Sequence, residues 1–167
     1  MNAEQLKARQ APIKARYKED PSSAQVTMHA KGTLGTDSVT CNVTTPIGAI
    51  EAGLHPKAGG EEHWACSGDM LLQSLVACAG VTLKAVATAL EIPLRGGEIF
   101  AEGDMDFRGT LGVSKETPIG FQRIRLRFEL DSDATPEQKQ KLLSLTERFC
   151  VIYQTLRSPA TITSEIA

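Results

Sequence analysis

The chain has 167 residues, enough for one domain with its own apolar core. Its 18 Lys and Arg stand against 20 Asp and Glu, a net charge of -2, and the basic residues are scattered. That balance gives no electrostatic reason to expect nucleic acid or an anionic membrane surface as a partner. The first 25 residues are charged and lack the apolar stretch of a signal peptide, so a soluble cytoplasmic protein is the expectation.

Residues 1–24 read as an N-terminal arm to a single domain over 1–167, with a short helix that Pro12 interrupts and Pro21 limits. Gln25 to Lys31 reads as a strand, Gly32 to Thr36 as a turn, and Ser38 to Thr45 as the returning strand, rich in Val and Thr. That makes a hairpin. Pro46 to Cys66 reads as a loop longer than ordinary connections, hence functional or disordered, and its place directly before a helix favours function.

Ser67 is a good N-cap, and Asp69 in the first turn complements the helix dipole. From there to about Leu90 apolar residues recur at a spacing of three and four. Leu71, Leu75, Cys78 and Thr82 mark one line; Leu72, Val76, Ala79, Leu83, Val86 and Leu90 mark the next. A helix apolar over most of its surface belongs at the centre of a fold, and Ala77, Ala79 and Gly80 keep it slim. Its uncharged run, from Met70 to Leu83, is too short to span a bilayer.

Glu98 to Arg108 alternates as a strand, and Gly109 to Gly120 reads as an irregular connection. Phe121 to Leu130 reads as a second strand, with Phe121 or Ile124, Leu126, Phe128 and Leu130 inward and Arg123, Arg125, Arg127 and Glu129 outward. Thr135-Pro136-Glu137-Gln138 is a helix start with a capping box, and the helix runs to at least Arg148. Cys150 falls at or just beyond its end, and Ala160 to Ile166 alternates as a final strand. Strands come in antiparallel-looking pairs, each followed by a helix, so the class is α+β rather than doubly wound.

The chemistry rests on cysteines. Cys41, Cys66, Cys78 and Cys150 form no CxxC pair, and His29, His55 and His63 form no ligand cluster. The His63/Cys66 pair is too little for zinc, so neither metal nor cofactor is expected. Cys78 lies about two and a half turns inside its helix, beyond the field of the helix N-terminus. A buried thiol away from charge is inert. A thiolate that meets a peroxide becomes a sulfenic acid, which a second thiol condenses to a disulfide. The residues alone leave open whether Cys78 and Cys150 are core packing or such a centre. Cys41 reads as core, and Cys66, beside the helix start, as structural or a third redox thiol. His63 and Trp64 could wall a substrate pocket or simply anchor the loop. Phe121 reads as core or as pocket lining.

Three segments resemble the OsmC/Ohr family, the osmotically inducible and organic-hydroperoxide-resistance proteins. SGDMLLQSLVACAGVTLKAV resembles the family helix that carries a reactive cysteine after an acidic start. ERFCVIYQTL resembles its second-cysteine segment, with Val151 where Pro is common. EGDMDFRGTLGVSKETPIGFQRIRLRFEL resembles its strand–turn–strand. The resemblance implies an OsmC-like fold, with antiparallel sheets around two central helices, in an intertwined homodimer. It implies Cys78 as the peroxidatic thiol, Cys150 as the resolving thiol, and Asp69 as the acid that orients an arginine. Many relatives carry Pro-Glu where this chain has Gly68 and Asp69. The family hairpin often supplies the arginine, but this hairpin holds Lys31 instead, which leaves Arg16 as first candidate and Arg108 as second. The implied substrate is an organic hydroperoxide, and the implied reductant an external dithiol. The alternative is a non-enzymatic dimeric module that binds a small hydrophobic ligand in the subunit cleft.

Overall fold

The computed structural model describes residues 1–166 and is α+β, as expected. The chain divides into two units. One holds Met1–Ser23, Ser74–Phe100 and the chain from Leu126 onward; the other holds Ala24–Gln73 and Ala101–Arg125.

In the second unit four strands form one sheet in the order β1-β2-β3-β4: β1 (Gly32–Leu34), β2 (Thr40–Thr45), β3 (Gly48–Gly53) and β4 (Ala65–Cys66). β2 is antiparallel to both β1 and β3, and β3 is parallel to β4. The expected hairpin is present, but displaced. Residues 25–31 form no strand, and Gly32 to Leu34, expected as a turn, pairs with β2. Alternation gives a segment strand character without supplying a partner, and packing decides. Gly32 suits its place because a Cβ there would lie 2.6 Å from the Cys41 sulfur.

The stretch from Pro46 to Cys66 is not one loop. Pro46 and Ile47 close a tight turn between Thr45 and Gly48, and Gly48 takes a φ of +137° that a side chain would resist. The Thr45 hydroxyl locks the turn by donating to the Gly48 carbonyl at 2.6 Å. β3 follows with Cys41 opposite Ala52.

In the first unit the residues of α2 (Ser67–Ala89) that are fully covered are Leu75, Ala79, Leu83 and Ala87, one turn apart. Leu83 and Ala87 join Ile92, Ala134 and Leu142 as the core, with Val86, Leu90, Leu94, Phe128 and Leu130 against it. α2 is longer than its uncharged run. By length and composition alone it is apolar enough to cross a membrane, a test that the core helix of a soluble protein also passes. Two further strands, β5 (Gly96–Asp104) and β6 (Arg123–Asp131), form a second sheet. β6 alternates as expected, with its arginines exposed.

The helix α4 (Pro136–Phe149) starts at the expected capping box: Thr135 Oγ1 accepts from the Gln138 N–H at 3.3 Å, and Gln138 Oε1 accepts from the Thr135 N–H at 2.9 Å. Thr135→Ala should therefore lower stability by about 1 kcal/mol, read as a fall in the urea midpoint with an unchanged slope.

Three elements differ from expectation. α1 (Ala3–Glu19) continues through Pro12 rather than stopping there. It buries none of its residues, so the Ala8 carbonyl that Pro12 cannot bond is open to water. Residues 160–166 form no strand, and Ile162 is exposed. A short helix, α3 (Phe107–Thr110), caps the end of the β5 segment, with Asp106 accepting from the Arg108 N–H.

Candidate functional site

The helix α4 ends at Cys150, and a new helix, α5 (Val151–Arg157), starts there. Cys150 is the pivot. Its backbone is extended, at φ -73° and ψ 110°, and serves as the last cap of α4 and the first of α5. Its N–H donates back to the Thr146 carbonyl at 2.9 Å, and its sulfur accepts from the Tyr153 N–H at 3.5 Å. The first N–H groups of any helix lack an acceptor within it. Here those of Ile152 and Val151 favour the charged form of the Cys78 sulfur.

The structure thus brings Cys78 and Cys150 into contact, both as free thiols. Cys150 is fully buried, at 0% exposure, whereas Cys78 is only partly covered. Burial alone would push the Cys78 thiol up. The Ile152 N–H, the Cys150 S–H, the Val151 N–H and the Thr82 hydroxyl outweigh it, and hold Cys78 below the ordinary thiol range. Cys150 moves the other way. Burial pushes it up, and the neighbouring Cys78 sulfur adds to the shift by accepting a hydrogen bond from the Cys150 S–H and by repelling a second negative charge. Of the two, Cys78 is therefore the thiol that gives up its proton first as pH rises.

A pH prediction follows. The reactive species is the thiolate, so alkylation of Cys78 by iodoacetamide should fall away only as pH drops through its depressed pKa. Half-maximal rate is expected below the roughly 8.5 of a free cysteine. Cys150 should react only above that value. Peptide mass spectrometry across a pH series reads both, and a Cys78 profile at or above that of free cysteine would contradict the assignment.

The other candidate residues stand as follows. Arg16 lies on α1 with its guanidinium 5.6 Å above the Tyr17 ring. Arg108 is engaged with Asp106. Neither is among the groups acting on the Cys78 sulfur named above. Asp69 is exposed in the first turn of α2. His63 is exposed, 3.5 Å from Glu61 and 5.0 Å from the Trp64 ring centre. Trp64 and Phe121 both pack closely against glycines. A Cβ on Gly53 would stand 2.5 Å from Trp64, and one on Gly103 2.5 Å from Phe121. A Cβ on Gly68 would meet Phe121 at 3.4 Å and the Cys66 sulfur at 3.6 Å. No cluster of three metal-ligating side chains occurs among the described residues.

The sequence matches the family described as OsmC-like protein over residues 60–165. The chain belongs to that family. Solved structures agree at the level of fold. An OsmC-like protein from Mycoplasma pneumoniae superposes with a TM-score of 0.67 at 18% identity, covering 81% of this chain and 90% of the other. An organic hydroperoxide resistance protein from Elizabethkingia anophelis, with thiocyanate bound, gives 0.64 at 14% identity, covering 81% and 92%. The organic hydroperoxide resistance protein OsmC from Legionella pneumophila, also described as a predicted redox protein, gives 0.61 at 15%, covering 80% and 93%. No curated protein sequence matches the chain.

Within this OsmC-like fold, sequence reasoning missed three donors to Cys78: the N–H groups of Val151 and Ile152 and the hydroxyl of Thr82. Thr82 was in view as the residue one turn after Cys78. The two N–H groups carried no signal, because α5 was not foreseen as a separate helix.

Proposed function

We propose that the protein is a thiol-dependent peroxidase that reduces organic hydroperoxides through Cys78 and Cys150. The contact between a partly open, acidified thiol and a buried, still protonated one carries this reading. The names of the Elizabethkingia and Legionella proteins point the same way.

The Cys78 thiolate attacks the distal oxygen of the hydroperoxide, and the O–O bond breaks. The leaving alkoxide takes a proton and departs as an alcohol, while Cys78 becomes a sulfenic acid. Cys150 then attacks the oxidised sulfur. Its own proton goes to the departing hydroxide, which leaves as water, and a Cys78–Cys150 disulfide remains. An external dithiol restores both thiols by exchange. No metal or cofactor enters these steps. An arginine, with Arg16 ahead of Arg108, and Asp69 as its orienting acid would steady the developing charge. His63, Trp64 and Phe121 would border the substrate. The protein would work as a homodimer, which is consistent with the large exposure of Val81 on the apolar helix α2.

Counting free thiols after adding cumene hydroperoxide to the reduced protein tests the proposal. Two thiols per chain should disappear, and dithiothreitol should return both. No loss at excess peroxide would instead favour a non-enzymatic binding module.

A further inference from the structure

In an unbroken helix the Glu147 carbonyl would accept from the Val151 N–H, four residues on. The break at Cys150 takes that donor away: among the described residues no backbone bond joins Val151 to Glu147. The carbonyl is satisfied all the same. The Gln154 side-chain amide reaches back from α5 and donates to it at 2.8 Å, a half-buried bond that ties together the helices on either side of Cys150. The break also leaves the Tyr153 N–H to the Cys150 sulfur, at 3.5 Å, where an unbroken helix would give it to the Phe149 carbonyl. No glycine or proline between Glu147 and Gln154 imposes the elbow, and Val151 keeps the N–H that a straight helix would use. The elbow and the straight helix therefore compete, and the Gln154 amide favours the elbow by satisfying the carbonyl that the break orphans.

We propose that Gln154 is a positioning residue for Cys150: its amide holds the elbow between α4 and α5, and with it the Cys150 sulfur, in the place from which the Cys78–Cys150 disulfide closes. The proposal rests on the two thiols acting on each other, and on the peroxidase reading only for the oxidant. Straightening would carry the Cys150 ψ from 110° to about -42° and re-aim the groups that follow it. In the closing step the Cys150 sulfur attacks the sulfenic sulfur of Cys78. The S–S bond forms as the S–O bond breaks, and the hydroxide leaves as water with the Cys150 proton. Gln154 acts through Cys150 and takes no part in these bond changes.

The test compares Gln154→Met and Gln154→Glu, similar in size but without the amide donor, with the natural protein. Circular dichroism checks that each is folded. The first readout is the equilibrium between the dithiol and the Cys78–Cys150 disulfide in a buffer of reduced and oxidised glutathione, which needs no peroxidase activity. It should shift toward the dithiol by roughly 3- to 10-fold in both variants. The second readout, with cumene hydroperoxide, is the share of Cys78 that dimedone traps as sulfenic acid before the disulfide closes, which should rise. Adding Val151→Pro to Gln154→Met should restore the equilibrium, because proline offers Glu147 no N–H and its ring excludes the straight helix. Cys150 already has the extended backbone that a following proline requires. An unchanged glutathione equilibrium in the folded variants would overturn the proposal. So would a shift that Val151→Pro leaves in place, since it would then come from general loosening. If the equilibrium shifts and is restored while even the natural protein ignores peroxide, the clamp stands and the peroxidase reading falls.

Discussion

Cys78→Ser should abolish peroxide reduction altogether, leaving cumene hydroperoxide consumption at the rate of buffer. The sulfur is both nucleophile and electron donor, and a serine oxygen can do neither at neutral pH: it stays protonated and has no sulfenic state. All four remaining donors around the site would be intact, so the loss would report chemistry rather than folding. Cys150→Ser should behave differently. Cys78 would still react once, because its partial exposure and its donors from Ile152, Val151 and Thr82 remain. The reaction would then stop after one equivalent of peroxide, with a sulfenic acid that dimedone traps on Cys78. Residual catalysis in Cys78→Ser, or continued turnover in Cys150→Ser, would each contradict the division of labour between the two thiols.

Leu142→Ala should cost about 2–3 kcal/mol of stability, the largest effect expected away from the site. Leu142 is 1% exposed and sits in the core with Leu83, Ala87, Ile92 and Ala134. A sealed site would place the cost anywhere up to about 5 kcal/mol, because the empty space adds to the lost transfer energy. Leu142, however, also lines an open groove of about 410 Å³ with Leu83, Leu126 and Phe128. Truncation would widen that groove instead of leaving a closed cavity, so the transfer contribution dominates. For a chain of this size the melting temperature should fall by roughly 4–12 °C. A change below about 1 kcal/mol would mean that the groove is filled differently in solution. Because α4 leads into Cys150, a melt followed by Cys78 reactivity would also tell whether the core loosens the thiol pair.

Much of the helical framework was legible because helices announce themselves locally. Ser67 and Asp69 opened α2, and Thr135 with Gln138 opened α4, since caps and dipoles act within a turn. Strands were harder because their stability comes from partners distant in sequence. Residues 25–31 and 160–166 alternate well yet form no strand, whereas β3, masked by its glycines and alanines, pairs along its whole length with β2. In the site, Cys78 and Cys150 were both in view, and the resemblance to the OsmC/Ohr family proposed that they meet. How they meet was not in view. The break at Cys150 depends on a backbone turn between two helices with no glycine or proline to mark it, Val151 standing where the family commonly has Pro. The resemblance implies a cation, Arg16 or Arg108, whereas the groups that lower the Cys78 pKa are neutral donors. Backbone N–H groups and a hydroxyl can stabilise a thiolate without any positive charge.

The central claim is that Cys78 and Cys150 act on each other, and peptide mapping after oxidation tests it most directly. The reduced protein is treated with one equivalent of cumene hydroperoxide, alkylated, digested without reduction and analysed by mass spectrometry. A Cys78–Cys150 cross-link should form, with Cys41 and Cys66 recovered as alkylated free thiols. A cross-link that involves Cys41 or Cys66, or a Cys78 oxidised while Cys150 remains free, would contradict it.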